Sequence, residues 1–291
     1  MWITGPVLAA TDLGEGADEA LRQADVLARA AGVALHVCHV LPEALRVDPL
    51  FPQLNLRDAL DAPELEREVG EALEERVEAV TGRTGDDFVL ELSSGSAPAG
   101  IVEAADRIAA GLVVVGAQGA GKKALGGVAE RVVRHAHCHV LVARTCSGAA
   151  VLAATDASEP AQAALAVAAA EAVRREAPLV VVHCMDLLFP GVVGYELPPL
   201  GPDVIAAMRA QWVQRLEASL AQIKARGEVR VEEGPAGPLI AKLAAELPAA
   251  LVVVGTHGHT GLRRLMLGSV AEAAVRTAPA SVLVIRLSRQ T

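Results

Sequence analysis

The sequence predicts an α/β protein of two tandem domains, each a five-stranded parallel sheet with helices on both faces. Three observations lead there. Runs such as Leu112-Val113-Val114-Val115 and Leu251-Val252-Val253-Val254 are apolar at every position rather than at alternate ones. Strands buried on both faces need that pattern, and parallel sheets bury their strands so. Segments of helical period separate the runs, as crossover connections between parallel strands require. Half-way along the chain the whole order begins again.

Pro6 to Asp12 reads as a first strand ending at an acid, and Leu21 to Ala31 as an Ala/Leu-rich helix that Gly32 can end. Val33 to Val40 is the second strand, and Leu41 to Ala62 is Pro-rich and irregular. Glu64 to Thr81 places Leu65, Val69, Leu73 and Val77 on one helical stripe. Phe88 to Leu92 is the third strand, Pro98 to Ala110 a helix with Pro98 near its start, and Leu112 to Val115 the fourth strand. A helix then runs to about His137, and His139 to Val142 is the fifth strand.

Val151 to Asp156 repeats the first strand and its acid. Ala-Ala-Thr-Asp stands at 9–12 and again at 153–156, an offset of 144, and His183 in the second strand (Leu179 to Cys184) matches His39. The loop 186–202 is rich in Pro and Gly. Ile205, Met208, Trp212, Leu216, Leu220 and Ile223 mark a long helix, Glu228 to Glu232 the third strand, and Ala236 to Glu246 the next helix. Leu-Val-Val-Val-Gly recurs at 112–116 and 251–255, and Ser281 to Ile285 closes the sheet. A period this long is a duplicated domain, with expected bounds 1–146 and 147–291.

The 291 residues suffice for two domains, and with 2% aromatic content their cores must be Ala, Val and Leu. A formal net charge of −9 argues against general nucleic-acid binding and against an anionic membrane surface. The opening Met1 to Pro6 shows no secretory pattern, and no apolar run approaches the roughly 18 residues of a spanning helix. Four cysteines without a C-x-x-C motif fit a reducing, cytoplasmic setting.

Gly255-Thr256-His257-Gly258, nine residues, then Gly268-Ser269-Val270 carry the functional argument. The stretch is strand, glycine-containing loop, helix. Glycines admit an anion close to the backbone, and N–H groups at a helix start point at it. Ser269 adds a hydroxyl there, as an N-cap or as a phosphate ligand. The spacing is neither the P-loop nor the dinucleotide G-x-G-x-x-G pattern.

G-x2-G-x9-G-[ST] after an apolar strand resembles the nucleotide motif of the universal stress protein family, matched by Gly255, Gly258, Gly268 and Ser269. Ser281 to Ile285 resembles the family's closing strand, and the resemblance covers nearly the whole chain, twice. It implies an ATP-binding fold of the adenine nucleotide alpha hydrolase type with strand order 3-2-1-4-5, although some family members bind no ATP. That order puts its reversal between the first and fourth strands, where open α/β sheets bind ligands. Ala154, Thr155 and Asp156 end the first strand of the second half, so acid and loop share one crevice. By the resemblance, Asp156 meets adenine or ribose, Cys184 frames adenine through its backbone, and Mg²⁺ accompanies the phosphates. Asp156 has a second reading, as a cap for the following helix. The family's dimers further imply that the closing strands 139–143 and 281–285 pair across the two domains.

The halves differ. Gly116-Ala117-Gln118-Gly119 is followed by six residues rather than nine before Gly126-Gly127, and Gly127 stands where the second half has Ser269. The second half is thus the expected nucleotide site and the first is degenerate, unless Lys122 and Lys123 restore phosphate binding by charge. His257 is either near the phosphates or a plain loop residue. Arg263 and Arg264 read as a solvated face. His135 to His139 is dense in metal-ligand types without a second cluster to complete a site. Phe51, Phe189 and Tyr195 fall in the irregular loops, as lids, partner contacts or local packing. No catalytic set is legible. A nucleotide-dependent stress regulator is the first expectation; a slow ATPase or nucleotide-transfer enzyme and an ATP-free interaction module, alone or as a homodimer, are the alternatives.

Overall fold

The computed structural model describes residues 1–42, 62–117, 125–187, 200–256 and 267–287. It divides into two compact units, Met1–Thr145 and Cys146–Thr291. Unit 1 runs β1 (Val7–Ala10), α1 (Glu15–Ala31), β2 (Leu35–Pro42), α2 (Ala62–Thr81), a 3₁₀ turn (Gly85–Asp87), β3 (Val89–Gly95), α3 (Ala97–Arg107), β4 (Leu112–Gly116), α4 (Gly127–His135) and β5 (His139–Ala143). Unit 2 repeats it with β6 (Ala150–Ala154), α5 (Glu159–Arg174), β7 (Leu179–Met185), α6 (Pro202–Gln222), β8 (Glu228–Glu233), α7 (Ala236–Glu246), β9 (Ala249–Gly255), α8 (Ser269–Thr277) and β10 (Ser281–Ile285).

All pairings within each unit are parallel. In unit 1, β1 lies between β2 and β4, with Val7 opposite both Leu35 and Leu112; β3 flanks β2 and β5 flanks β4. In unit 2, β6 lies between β7 and β9, with β8 and β10 outside them. Both orders are the 3-2-1-4-5 that the family resemblance implied. The order reverses between β1 and β4 and again between β6 and β9.

Burial explains the strand composition. β1, β4, β6, β9 and β10 are buried at every residue but the last one or none, so both faces are covered. β3 and β8, at the outer flank of each order, are partly exposed, which is why β8 accepts Glu228, Arg230, Glu232 and Glu233. In unit 1, α1 packs on β1 and β4 and touches α2, while α3 and α4 pack together; unit 2 places α5 on β6 and β9 and pairs α7 with α8. Asp18 of α1 takes a two-point hydrogen bond from Arg76 of α2 at 2.7 and 2.8 Å.

Element edges depart from the sequence reading in places. α1 begins at Glu15, well before Leu21, because Glu15 and Asp18 suit a helix start and the turn before it is closed by side chains. Phe88 ends the 3₁₀ turn and lies outside β3. α4 stops at His135. Of the expected stripe on α2, Leu73 and Val77 are buried while Leu65 and Val69 are half-exposed. On α6 the buried members are Leu216 and Leu220. Among the described residues, the N-terminal halves of both helices carry no fully buried side chain.

Gly116 and Gly255, at the ends of β4 and β9, are required by packing. A methyl group on Gly116 would lie 2.7 Å from the carbonyl oxygen of Gly16, and one on Gly255 would lie 3.1 Å from that of Pro160. The first turns of α1 and α5 rest on these strand ends. Gly116→Ala is therefore expected to destabilise unit 1 by about 1–3 kcal/mol, and Gly255→Ala to cost less in unit 2. Urea unfolding of both variants checks the ranking, and an equal or reversed ranking contradicts it.

Candidate functional site

The residues after β6 form a turn closed by its own side chains. Thr155 donates its N–H to Val182 O at 2.9 Å, continuing the sheet by one bond. Its hydroxyl oxygen accepts the N–H of Ala157 at 3.0 Å, and Asp156 Oδ1 accepts the N–H of Ser158 at 3.0 Å. Ala157 takes the left-handed conformation, φ 58°, which these two bonds hold against its steric cost. Ser158 is the N-cap of α5, so Asp156 braces the cap without being the cap. Unit 1 has the same turn: Thr11 and Asp12 accept from Leu13 and Gly14 at 3.0 Å each, with Leu13 at φ 62°. Asp156 is half-buried, whereas Asp12 is exposed.

The loop after β9 is tied at its two ends. Thr256, buried, donates its N–H to Ile285 O at 3.1 Å, and its carbonyl accepts the N–H of Gly268 at 2.8 Å. Gly268, φ −64° and ψ 149°, is the N-cap of α8, and Ser269 is its first helical residue. The N-cap reading of Ser269 is thereby corrected: the backbone of Gly268 fills that place, and the Ser269 side chain is exposed. Ser269 and Val270 are exposed residues of a first helical turn, whose N–H groups have no acceptor within the helix. This suits an anion. Because β6 and β9 are neighbours, with Ala153 opposite Val253, the Asp156 turn and the start of α8 follow adjacent strands at the same edge. The structure thus places Ala154, Thr155, Asp156, Gly255, Thr256, Gly268, Ser269 and Val270 at or just beyond the C-terminal ends of these two neighbouring strands. His257 and Gly258 lie outside the described residues, as do Gln118, Gly119, Lys122, Lys123, Arg263, Arg264, Phe51, Phe189 and Tyr195.

Unit 1 closes its shorter loop in the same way: Ala117 donates to Ala143 O at 3.0 Å, and Gly126 donates to Ala117 O at 2.8 Å. Gly126 caps α4, and Gly127 is the first helical residue. Loss of three residues leaves the closure intact. What unit 1 lacks at this helix start is a hydroxyl.

Cys184 sits near the end of β7, opposite Glu232 of β8, and is half-buried. Burial, helped by the Glu232 charge, pushes its thiol up to about 11. Cys38 on β2 is pushed up to about 12, again mainly by burial. Neither is a nucleophile near neutral pH. Among the described residues no three His, Cys, Asp or Glu side chains gather to hold a metal ion; His137 instead bonds Asp106 at 3.1 Å, and His139 packs against Trp2.

Three residues at this edge carry roles that the sequence reading did not give them. Ser158 is buried, and its hydroxyl finds no partner. Gly234, at φ 135°, donates its N–H to Met185 O at 2.9 Å and so joins the ends of β7 and β8. His183 bonds the Thr155 carbonyl; its repeat with His39 was the one signal for it in the sequence.

Comparison with known proteins decides the family. The model of the universal stress protein family matches residues 4–144 and again residues 149–286. The chain belongs to the universal stress protein family. A universal stress protein of Mycobacterium tuberculosis strain H37Rv is 32% identical over 191 residues, 61% of this chain and 62% of its own length. A second from that strain is 36% identical over 197 residues, with the same shares covered. The matched stretch therefore spans under two thirds of these relatives. A crystal structure of a universal stress protein from Archaeoglobus fulgidus covers 97% of this chain and 98% of its own at a TM-score of 0.68 and 20% identity, a likeness of fold. Among the described residues, no helix of this universal stress protein is long and apolar enough to cross a membrane.

The raised thiol of Cys184 gives a pH prediction. Ionisation is held back until the pH approaches about 11, so iodoacetamide should label Cys184 far more slowly at pH 8 than it labels free cysteine. Labelling should rise about tenfold per pH unit from pH 8 towards about pH 10, as thiolate grows, and level off once the pH passes about 11. Peptide mass spectrometry resolves the four cysteines; rapid labelling of Cys184 at pH 8 contradicts the burial account.

Proposed function

We propose that this universal stress protein binds ATP in unit 2 and acts as a nucleotide-dependent regulator in a stress response. One observation supports the reading above others: a half-buried carboxylate and an exposed helix start with no side-chain cap stand beyond adjacent strands at the point where the strand order reverses. Gly268, Ser269 and Val270 would hold the phosphates, with Gly255, Thr256, His257 and Gly258 completing the loop. Asp156, with Ala154 and Thr155, would face the ribose or adenine, and Cys184 would line the adenine side as a neutral, weakly polar group. Mg²⁺ would enter with the phosphates, held by their oxygens and by water. A bound triphosphate supplies charge and a hydrolysable bond; this chain's described residues supply binding and orientation.

A second reading is an interaction module. The N-terminal half of α6 presents Val204, Ala206 and Ala210 to the surface, and a groove beside it is lined by Pro202, Ile205, Arg209, Val213 and Glu233. The corresponding part of α2 is rich in glutamate. Surface apolarity of this kind suits a protein partner.

Gly268→Val and Ser269→Ala are each expected to weaken ATP binding about tenfold or more, since each alters the donors at the helix start. Gly126→Val in unit 1 is expected to leave ATP affinity unchanged. Calorimetric titration with circular dichroism as the fold control tests this; unchanged affinity in both unit 2 variants overturns the site. Steady phosphate release that these substitutions abolish would instead mark a slow ATPase.

A further inference from the structure

β6 and β7 pair in parallel register as far as Ala154 opposite Val182. Beyond that point the Thr155 carbonyl lies 2.9 Å from Nδ1 of His183. A carbonyl oxygen only accepts, so Nδ1 carries the proton. The imidazole supplies the bond that ends the β6–β7 pairing. It is buried and stacks on Trp212 of α6, 3.6 Å between ring centroids and 24° between planes. The stack fixes the plane of the ring and hence the direction of its N–H.

The bond falls on the peptide from which the turn departs. Thr155 Oγ1 holds Ala157 in its left-handed conformation, and Asp156 holds the N-cap of α5. Rotation of the Thr155 peptide would disturb both bonds and swing the Asp156 carboxylate. Unit 1 repeats the arrangement independently: His39 Nδ1 lies 2.9 Å from the Thr11 carbonyl, ahead of the same turn. In unit 2 the ring rests on Trp212. Trp212 is one of only two tryptophans in the chain, and the other, Trp2, packs on His139.

We infer that His183 is a positioning residue for the crevice of unit 2: through the Thr155 carbonyl it fixes the turn that presents Asp156, and Trp212 holds the imidazole in place. The consequence for ligand affinity rests on the nucleotide reading above; the effect on the turn does not. Burial alone would ask for an apolar side chain of similar size, whereas this role asks for an N–H at the position of Nδ1.

The test compares His183→Asn with His183→Gln in the full chain. Asn places its amide N–H near the position of Nδ1, and Gln places it one bond further out, near Nε2. Amide hydrogen exchange at Ala157 and Ser158 reads the turn, and Mg·ATP titration reads the site. Asn should stay within about twofold of wild type in both, while Gln should speed exchange and weaken ATP binding by about tenfold, the scale of one hydrogen bond. His39→Gln should speed exchange at Leu13 and Gly14 and leave ATP affinity unmoved. Asn and Gln behaving alike in exchange overturns the inference, whether both match wild type or both fail, because a space-filling role does not distinguish the two geometries. Wild-type protein that binds no ATP overturns the nucleotide reading, and the exchange comparison still decides the role of His183.

Discussion

A parallel strand buried on both faces must end in backbone groups that the sheet no longer pairs and water does not easily reach. At the ends of β1 and β6 this chain meets the constraint with side chains. A histidine takes the last carbonyl, a threonine hydroxyl and an aspartate carboxylate each accept the N–H of the residue two positions on, and a single left-handed residue turns the chain into a helix. Beside them, β4 and β9 end in glycine so that this helix can close down on the strand. The strand-end crevice follows from these solutions. It is polar because the sheet had to be terminated, and it lies where the order reverses because the crossovers leave on opposite sides there.

The duplicated turn and loop closure separate scaffold from site. Features present in both units, the histidine bond, the Thr-Asp turn, the strand-end glycine and the tie across the base of the loop, form the scaffold that positions a site and do not by themselves mark one. Features found in unit 2 alone are the stronger markers of a ligand: Ser269 at the first position of α8 against Gly127 in α4, and Asp156 half-buried against Asp12 exposed. On this view the first motif glycine carries little functional information, and the hydroxyl after the last one carries more.

The sheet was legible because the strands at the centre of each unit are almost unbroken Val, Leu and Ala, a composition that double-sided burial explains, and because the element order repeats. Edges were less legible. α1 starts at Glu15 because side-chain bonds two residues apart close the turn before it, and such bonds leave little trace in hydrophobic period. Of the two readings of Ser269, N-cap or phosphate ligand, the first rested on serine being a common cap, whereas Gly268 takes the N-cap position. His183 was visible only as a repeat of His39; nothing in spacing says that a strand residue will bond a carbonyl 28 residues earlier. Trp212 belonged to the expected stripe of α6, yet it stacks on that histidine rather than filling the core.

The central claim is that two units of one architecture differ in their capacity to hold a nucleotide. Calorimetric titration of nucleotide-free full chain with Mg·ATP tests it most directly. The account predicts about one ATP per chain. Two would show that the shorter loop of unit 1 binds as well and would contradict the asymmetry; none, from a folded protein, would contradict nucleotide binding altogether.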